Sequence, residues 1–279
     1  MTKFSLGYIG VGLMGGPMVK RLRSLGWSVR GYDIVPQRSM AGSVAEAVKD
    51  ADVVLLNLPT NEAVEDALGK LLPVLRAPQL VVDFSTIPVE ACRRHAATLA
   101  RATGCRWVDA PVSGGPPAVE AGTLTVMAGG EEQDLARLAP LMKDIAGRCT
   151  RMGPLGAGLA AKMINQLIVG VGQAMLGEAV ALCEKAGIDA ARIPECLGDG
   201  YADSNVMKAY WPRMVQRDFA PRGYVRQLLK DLEMVDGWAK DLGARTPALQ
   251  AALDAYRELK KRGDSELDTA AVVKLYLRK

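Results

Sequence analysis

The sequence predicts an α/β fold in two parts: an amino-terminal doubly wound domain built on a parallel sheet, then an all-helical carboxy-terminal domain. Three observations predict it. Short aliphatic runs alternate with segments of helical periodicity up to about Met152, the first run leads straight into a glycine-rich turn, and beyond Gly153-Pro-Leu-Gly156 helical periodicity continues without strand alternation. The division falls at 1–157 and 158–279.

Taken in order, strands are expected at Phe4–Ile9, Ser28–Tyr32, Val53–Leu58, Leu80–Phe84, Arg106–Asp109 and Leu124–Ala128, each a short run rich in β-branched or aliphatic residues. Between them, Glu62–Leu75 and Val89–Thr103 repeat apolar residues at helical spacing, as crossovers between parallel strands require. The second half opens with a long helix from about Gly158 to Ala186, in which Gly170 and Gly172 mark close packing of a neighbouring helix or, alternatively, the approach of a substrate or cofactor. No segment is of low complexity and no internal repeat is evident.

Composition narrows the function classes. The chain has 279 residues, 49% of them hydrophobic, enough for a sizeable core. A net charge of +4, spread along segments that also carry Asp and Glu, reads as solvated surface and not as a nucleic-acid patch. The apolar stretches around Asn57 and Ile168 are interrupted by Gly, Asn, Gln or charge, so no membrane span is expected; the start lacks a secretory pattern, and a cytoplasmic location follows. Cys92, Cys105, Cys149, Cys183 and Cys196 show no Cys-x-x-Cys spacing and read as reduced, small hydrophobic residues. His95, expected on a helix surface, is the single histidine, which excludes a His-rich metal site; no metal is expected.

The glycine-rich turn is Gly10-Val11-Gly12-Leu13-Met14-Gly15, with a strand before it, Pro17 at the start of a helix after it, and Asp33 at the end of the next strand, eighteen positions beyond Gly15. In a Rossmann-type unit Gly10 makes the tight turn, Gly12 lets the backbone approach a pyrophosphate, and Gly15 permits close helix–strand packing; the helix amino terminus offers free N–H groups to the anion. Asp33 suits the hydroxyls of an adenosine ribose and would repel a 2′-phosphate, so NAD is expected, with NADP as the alternative because Arg38 lies close by.

These forty residues resemble the beta-hydroxyacid dehydrogenase family, the group of 3-hydroxyisobutyrate dehydrogenases and tartronate semialdehyde reductases. The resemblance continues through Asp83-Phe-Ser-Thr86, through Asp109-Ala-Pro-Val-Ser-Gly-Gly115 with Gly122-Thr-Leu124, through Gly156-Ala-Gly158-Leu-Ala-Ala-Lys162-Met-Ile-Asn165, and through Leu229-Lys230-Asp231-Leu232. It implies that Leu13, Met14, Leu58, Pro59, Thr86 and Lys230 contact the cofactor, that Ser113, Gly114, Gly115 and Asp231 belong to the substrate site, and that Lys162 is catalytic. It also implies homodimers or homotetramers.

Read from the residues, Lys162, Asn165 and Gln166 stand at i, i+3 and i+4, on one face of a helix. A lysine desolvated toward a pKa of about 7–8 serves both as acid and as base, which matches hydride exchange at an alcohol carbon. Asn165 or Gln166 would hold the amine or a substrate oxygen, and Ser113-Gly114-Gly115 offers a hydroxyl and unobstructed amides to a carboxylate. The expected activity is NAD(P)-linked oxidation of a small beta-hydroxy acid of three or four carbons to the semialdehyde. The alternatives are imine reduction and a catalytically silent cofactor-binding module. Gln166 departs from the family's usual Asn, and Arg222 and Arg226 raise the alternatives of a second anion contact on the substrate or surface salt bridges.

Overall fold

The computed structural model describes residues 3–277 and divides the chain into two compact units, Met1–Lys162 and Met163–Lys279. In the first unit, strands β1 (Leu6–Ile9), β2 (Val29–Tyr32), β3 (Val53–Leu56), β4 (Leu80–Asp83) and β5 (Arg106–Asp109) pair in parallel in the order β2-β1-β3-β4-β5. Residues alternate across this sheet with period two. Leu6, Tyr8, Val53, Leu55, Leu80 and Val82 face one core, and Ile9, Val54, Leu56 and Val81 face the other.

Helices complete both layers. Helix α1 (Gly15–Ser24) packs on the first face; α2 (Val44–Val48), α3 (Asn61–Leu71) and α4 (Val89–Thr103) pack on the second. The hydroxyls of Ser43 and Thr60 accept from the amides of Glu46 and Ala63, which sets where α2 and α3 begin, and left-handed Gly104 ends α4.

The sheet is not parallel throughout, contrary to expectation. Strand β6 (Val112–Ser113) and helix α5 (Gly115–Ala121) lead into β7 (Leu124–Gly129), which runs antiparallel to both β5 and β6. The link from β5 to β7 contains only one short helix, and antiparallel pairing needs no long crossover. Helix α6 (Glu132–Ile145) then joins the first face, and β8 (Ala146–Gly153) pairs parallel with β7. Six of the eight β8 residues are exposed, so the strand carries no apolar alternation and was invisible to pattern. Helix α7 begins here, at Ala157 of Ala157–Lys185.

The second unit is all helical: the rest of α7, α8 (Ile193–Leu197), α9 (Asn205–Gln216), α10 (Val225–Asp241), α11 (Pro247–Lys261) and three 3-10 segments. Its core gathers Trp211, Leu232, Tyr256 and Val272. At Gly170 an added Cβ would lie 2.6 Å from Leu232 Cδ2, so that glycine does serve close packing of α7 on α10. Buried Arg213 and Asp268 pair at 2.7 Å, and Asp268 also accepts the amides of Arg222, Gly223 and Ala270, fixing the turn before α10.

By length and composition alone α7 could cross a bilayer, with a mean hydropathy of 1.5 over its most apolar stretch; half of that stretch is buried, and Lys162, Gln166 and Gln173 are buried along the helix. Two other expectations need correction. His95 is buried, with Nε2 3.0 Å from Asn61 Oδ1 and the ring near Trp107, because α4 turns that face onto the sheet. Cys92, Cys105 and Cys183 are small core residues, but Cys149, on the open strand β8, and Cys196 are exposed; all five are free thiols.

Candidate active site

The carboxyl ends of the parallel strands share one edge of the sheet, since Ile9 pairs with Tyr32 and Leu56, Leu56 with Asp83, and Asp83 with Asp109. The order reverses between β1 and β3, and that reversal is where doubly wound sheets bind ligands. At this edge Gly10 has φ +97° and donates its amide to Tyr32 O at 2.9 Å; a Cβ there would lie 2.2 Å from Asn57 O. A Cβ on Gly15 would lie 1.9 Å from Gly10 O. Both are glycine for reasons internal to the fold.

Gly12 differs, because a Cβ there would meet nothing within 4 Å. The cap residue of α1, half-buried Met14 beside exposed Leu13, makes no side-chain hydrogen bond to the first amides of the helix. Open space over a backbone turn at a helix amino terminus fits a pyrophosphate.

The other expected cofactor residues of this unit stand along the same edge. Asp33 follows β2 directly, and its Oδ1 accepts the Val35 amide at 2.8 Å. Ile34 beside it is 80% exposed, an apolar surface that sequence reasoning passed over. Leu58 and Pro59 follow β3, where the Leu58 amide donates to Ser85 Oγ at 2.9 Å. Thr86 follows β4, after buried Asp83 has accepted the Ser85 amide at 2.8 Å. The two loops are thereby tied together.

Ser113 ends β6, opposite Thr125. Gly114 and Gly115 then take φ +126° and +67°, conformations that side chains resist, and a Cβ on Gly114 would lie 2.5 Å from Ala118 Cβ. Lys162, six residues into α7, is 7% exposed and donates from Nζ to Val112 O at 2.8 Å, next to Ser113. The lysine and the Ser-Gly-Gly turn therefore meet within one unit.

One residue here escaped the sequence reading. Asp109, fully buried at the end of β5, accepts the Gly156 amide through Oδ1 and the Leu159 amide through Oδ2, each at 2.7 Å. Burial pushes its pKa up, and the amides around it, of Gly156, Leu159 and Gly158, pull the other way. A charged residue between Trp107-Val108 and Ala110-Pro111 was the available signal.

The remaining expected residues form a chain inside the helical unit. Asn165 Nδ2 donates to Gln166 Oε1 at 2.8 Å, Gln166 Nε2 donates to Asp231 Oδ2 at 2.6 Å, and Lys230 Nζ lies 3.1 Å from Asp231 Oδ1. The extra methylene of Gln166 is used to reach Asp231. Arg222 pairs with Asp218 at 3.4 Å, while Arg226 pairs with Glu266 at 2.7 Å and lies over the Tyr224 ring, so both arginines are engaged in salt bridges of their own.

The glycine turn and its sheet edge define the class: a dinucleotide-binding protein of the doubly wound type. Comparison with known proteins narrows this. Residues 5–153 match the NAD binding domain of 6-phosphogluconate dehydrogenase, and residues 156–276 match the NAD-binding domain of NADP-dependent 3-hydroxyisobutyrate dehydrogenase. The chain is 34% identical to the NAD-dependent L-serine dehydrogenase of Pseudomonas aeruginosa, over 97% of each protein. It is 30% identical to the 2-hydroxy-3-oxopropionate reductase of Escherichia coli, over 96% of this chain and 95% of that one. The solved structure of Mycobacterium tuberculosis 3-hydroxyisobutyrate dehydrogenase with L-serine matches at a TM-score of 0.88 and 31% identity, covering 98% of this chain and 99% of the other. The chain belongs to the beta-hydroxyacid dehydrogenase family and binds a nicotinamide dinucleotide.

Proposed function

We propose that this protein oxidises a small beta-hydroxy monocarboxylate to its semialdehyde and reduces it back, with Lys162 as the proton-transfer residue. The observation that carries the reading is the Lys162 amine, buried and held at 2.8 Å from Val112 O beside the Ser113-Gly114-Gly115 turn. A bound dinucleotide supplies the hydride acceptor or donor. Gly10, Gly12, Leu13, Met14, Gly15, Asp33, Leu58, Pro59, Thr86 and Lys230 would hold it, with Ile34 offering apolar cover to the adenine.

The chain's own residues do the rest. Lys162, as the neutral amine, takes the hydroxyl proton during oxidation, and as the ammonium it protonates the carbonyl oxygen during reduction. The amides and hydroxyl of Ser113, Gly114 and Gly115 grip the substrate carboxylate. Asn165, which donates to Gln166 while Gln166 donates to Asp231, would bind a substrate oxygen. Arg222 and Arg226 already have acidic partners, which favours a monocarboxylate substrate over one with a second anionic group held by them. Asp33 favours NAD over NADP.

The test is cofactor reduction by native protein and Lys162→Ala against 3-hydroxyisobutyrate, L-serine, glycerate and 3-hydroxypropionate, with NAD and with NADP. Turnover of one acid, faster with NAD, and a fall in kcat of about 10²- to 10⁴-fold in the variant with unchanged NADH binding are expected. Bound NADH with no acid turned over and cyclic imines reduced would overturn the proposal.

The same reading includes a soluble, cytoplasmic homo-oligomer. Ile164, Ile168, Met175 and Leu182 are 47–66% exposed along one side of α7. Ile168 and Met175 also line a groove of about 590 Å³ with Val206 and Leu249. An apolar stripe of that kind beside a groove suits a second copy of the chain.

A further inference from the structure

We propose that Asp109 is a positioning residue for Lys162, gripping the first turn of α7 so that the lysine amine is presented at one fixed point beside Val112 and Ser113. The inference rests on Lys162 being the proton-transfer residue and extends it to how the lysine is held.

The geometry forms a closed ring. Asp109 and Val112 lie three residues apart on the segment that runs from β5 into β6. From that segment Asp109 reaches the amides of Gly156 and Leu159, each at 2.7 Å, while the Val112 carbonyl receives Lys162 Nζ at 2.8 Å. Lys162 follows Leu159 by three residues and so lies one helical turn beyond the amide that Asp109 holds. A lysine side chain is a flexible four-carbon stem. Holding its amine still requires that both the helix and the acceptor be fixed to the same support, and Asp109 makes the β5–β6 segment that support.

The surroundings are shaped for a carboxylate with two accepting oxygens. A Cβ on Gly129 would lie 2.3 Å from Asp109 Oδ1, and one on Gly158, already 2.3 Å from Met127 O, would lie 2.8 Å from Oδ2, so the carboxylate sits against two positions without side chains. Asparagine has the same shape, but one of its ends carries N–H groups and would face an amide donor with a donor. Asp109→Asn therefore releases one of the two grips with little change in volume.

A misplacement of about 1 Å at a reacting group costs roughly 10²-fold in rate. Asp109→Asn is expected to lower kcat about 10- to 100-fold while NADH affinity stays within about twofold. In a Lys162→Ala background the Asp109→Asn change should cost less than about twofold more, since residues that act through one another are non-additive. If Asp109→Asn does not fold, Asp109→Ser, smaller and still an acceptor for one amide, carries the same comparison. Full kcat in Asp109→Asn alongside a large loss in Lys162→Ala would overturn the inference alone, as would losses that multiply in the double variant. Full kcat in Lys162→Ala would instead remove the lysine reading beneath it.

Discussion

Gly12 and Gly15 are chemically identical and three residues apart, yet replacing each by alanine should have opposite consequences. At Gly12 the new methyl meets nothing within 4 Å and the backbone is outside the positive-φ region, so the fold accepts it. Alanine also reduces the freedom of the unfolded chain, a gain of about 0.4–1 kcal/mol, which raises the melting temperature by roughly 1–4 °C. At Gly15 the methyl would lie 1.9 Å from Gly10 O, where the close approach involves rigid backbone. Overpacking of that kind costs about 1–3 kcal/mol, and the melting temperature should fall by several degrees.

Binding reverses the order of interest. The Gly12 methyl stands where a pyrophosphate would lie, so NADH affinity should drop at least tenfold, about 1.4 kcal/mol, in a protein that melts no lower than native. Thermal melts followed by circular dichroism and NADH fluorescence titration measure the two effects separately. A Gly12→Ala protein that binds NADH like the native chain would refute the assignment of the open turn to the dinucleotide. One that melts well below native would refute the reading of the space itself.

Two further outcomes are expected. Burial lowers the pKa of His95 below its ordinary value near 6.5, so the folded state binds fewer protons than the unfolded one in the window just below that value. The His95 contribution is fully present above about pH 6.5 and is lost as pH falls through the window, so urea midpoints from pH 5 to 7 should rise more steeply for native protein than for His95→Gln; equal slopes would count against it. For the apolar stripe of α7, light scattering should give native protein at least twice the single-chain mass and the Ile168→Glu/Met175→Glu variant the single-chain mass; a native monomer would remove the oligomer proposal.

Much of this molecule could be read from its letters, for reasons that particular residues make plain. Strands β1, β3 and β4 are buried throughout, so Val53–Leu56 and Leu80–Asp83 stand out as aliphatic runs, and Val89–Thr103 has the apolar spacing, with Gly104 after it, that defines α4. The glycine turn was legible because Gly10 and Gly15 answer to constraints within the fold, while Gly12 keeps open the space above the turn. Strand β8 was not legible, since Ala146-Gly-Arg-Cys-Thr-Arg-Met-Gly153 faces solvent and carries no burial pattern. The reversed direction of β7 depends on which edge of the sheet is open, a property of the assembled fold. His95 misled because its neighbours Arg93 and Arg94 suggest a solvated stretch, whereas its own position turns toward Asn61 and Trp107. Asp109 was quoted within a motif but not understood, because its partners lie 47 and 50 positions further along the chain.

The trio of Asp109, Gly129 and Gly158 also constrains how this chain can drift. Neither glycine can acquire a side chain, because a Cβ on Gly129 would meet the Gly158 amide nitrogen at 2.8 Å as well as the carboxylate, and one on Gly158 would lie 2.3 Å from Met127 O. Positions 129 and 158 are therefore held to glycine by rigid backbone as well as by Asp109, and a change at 109 alone does not open either of them to alanine or serine.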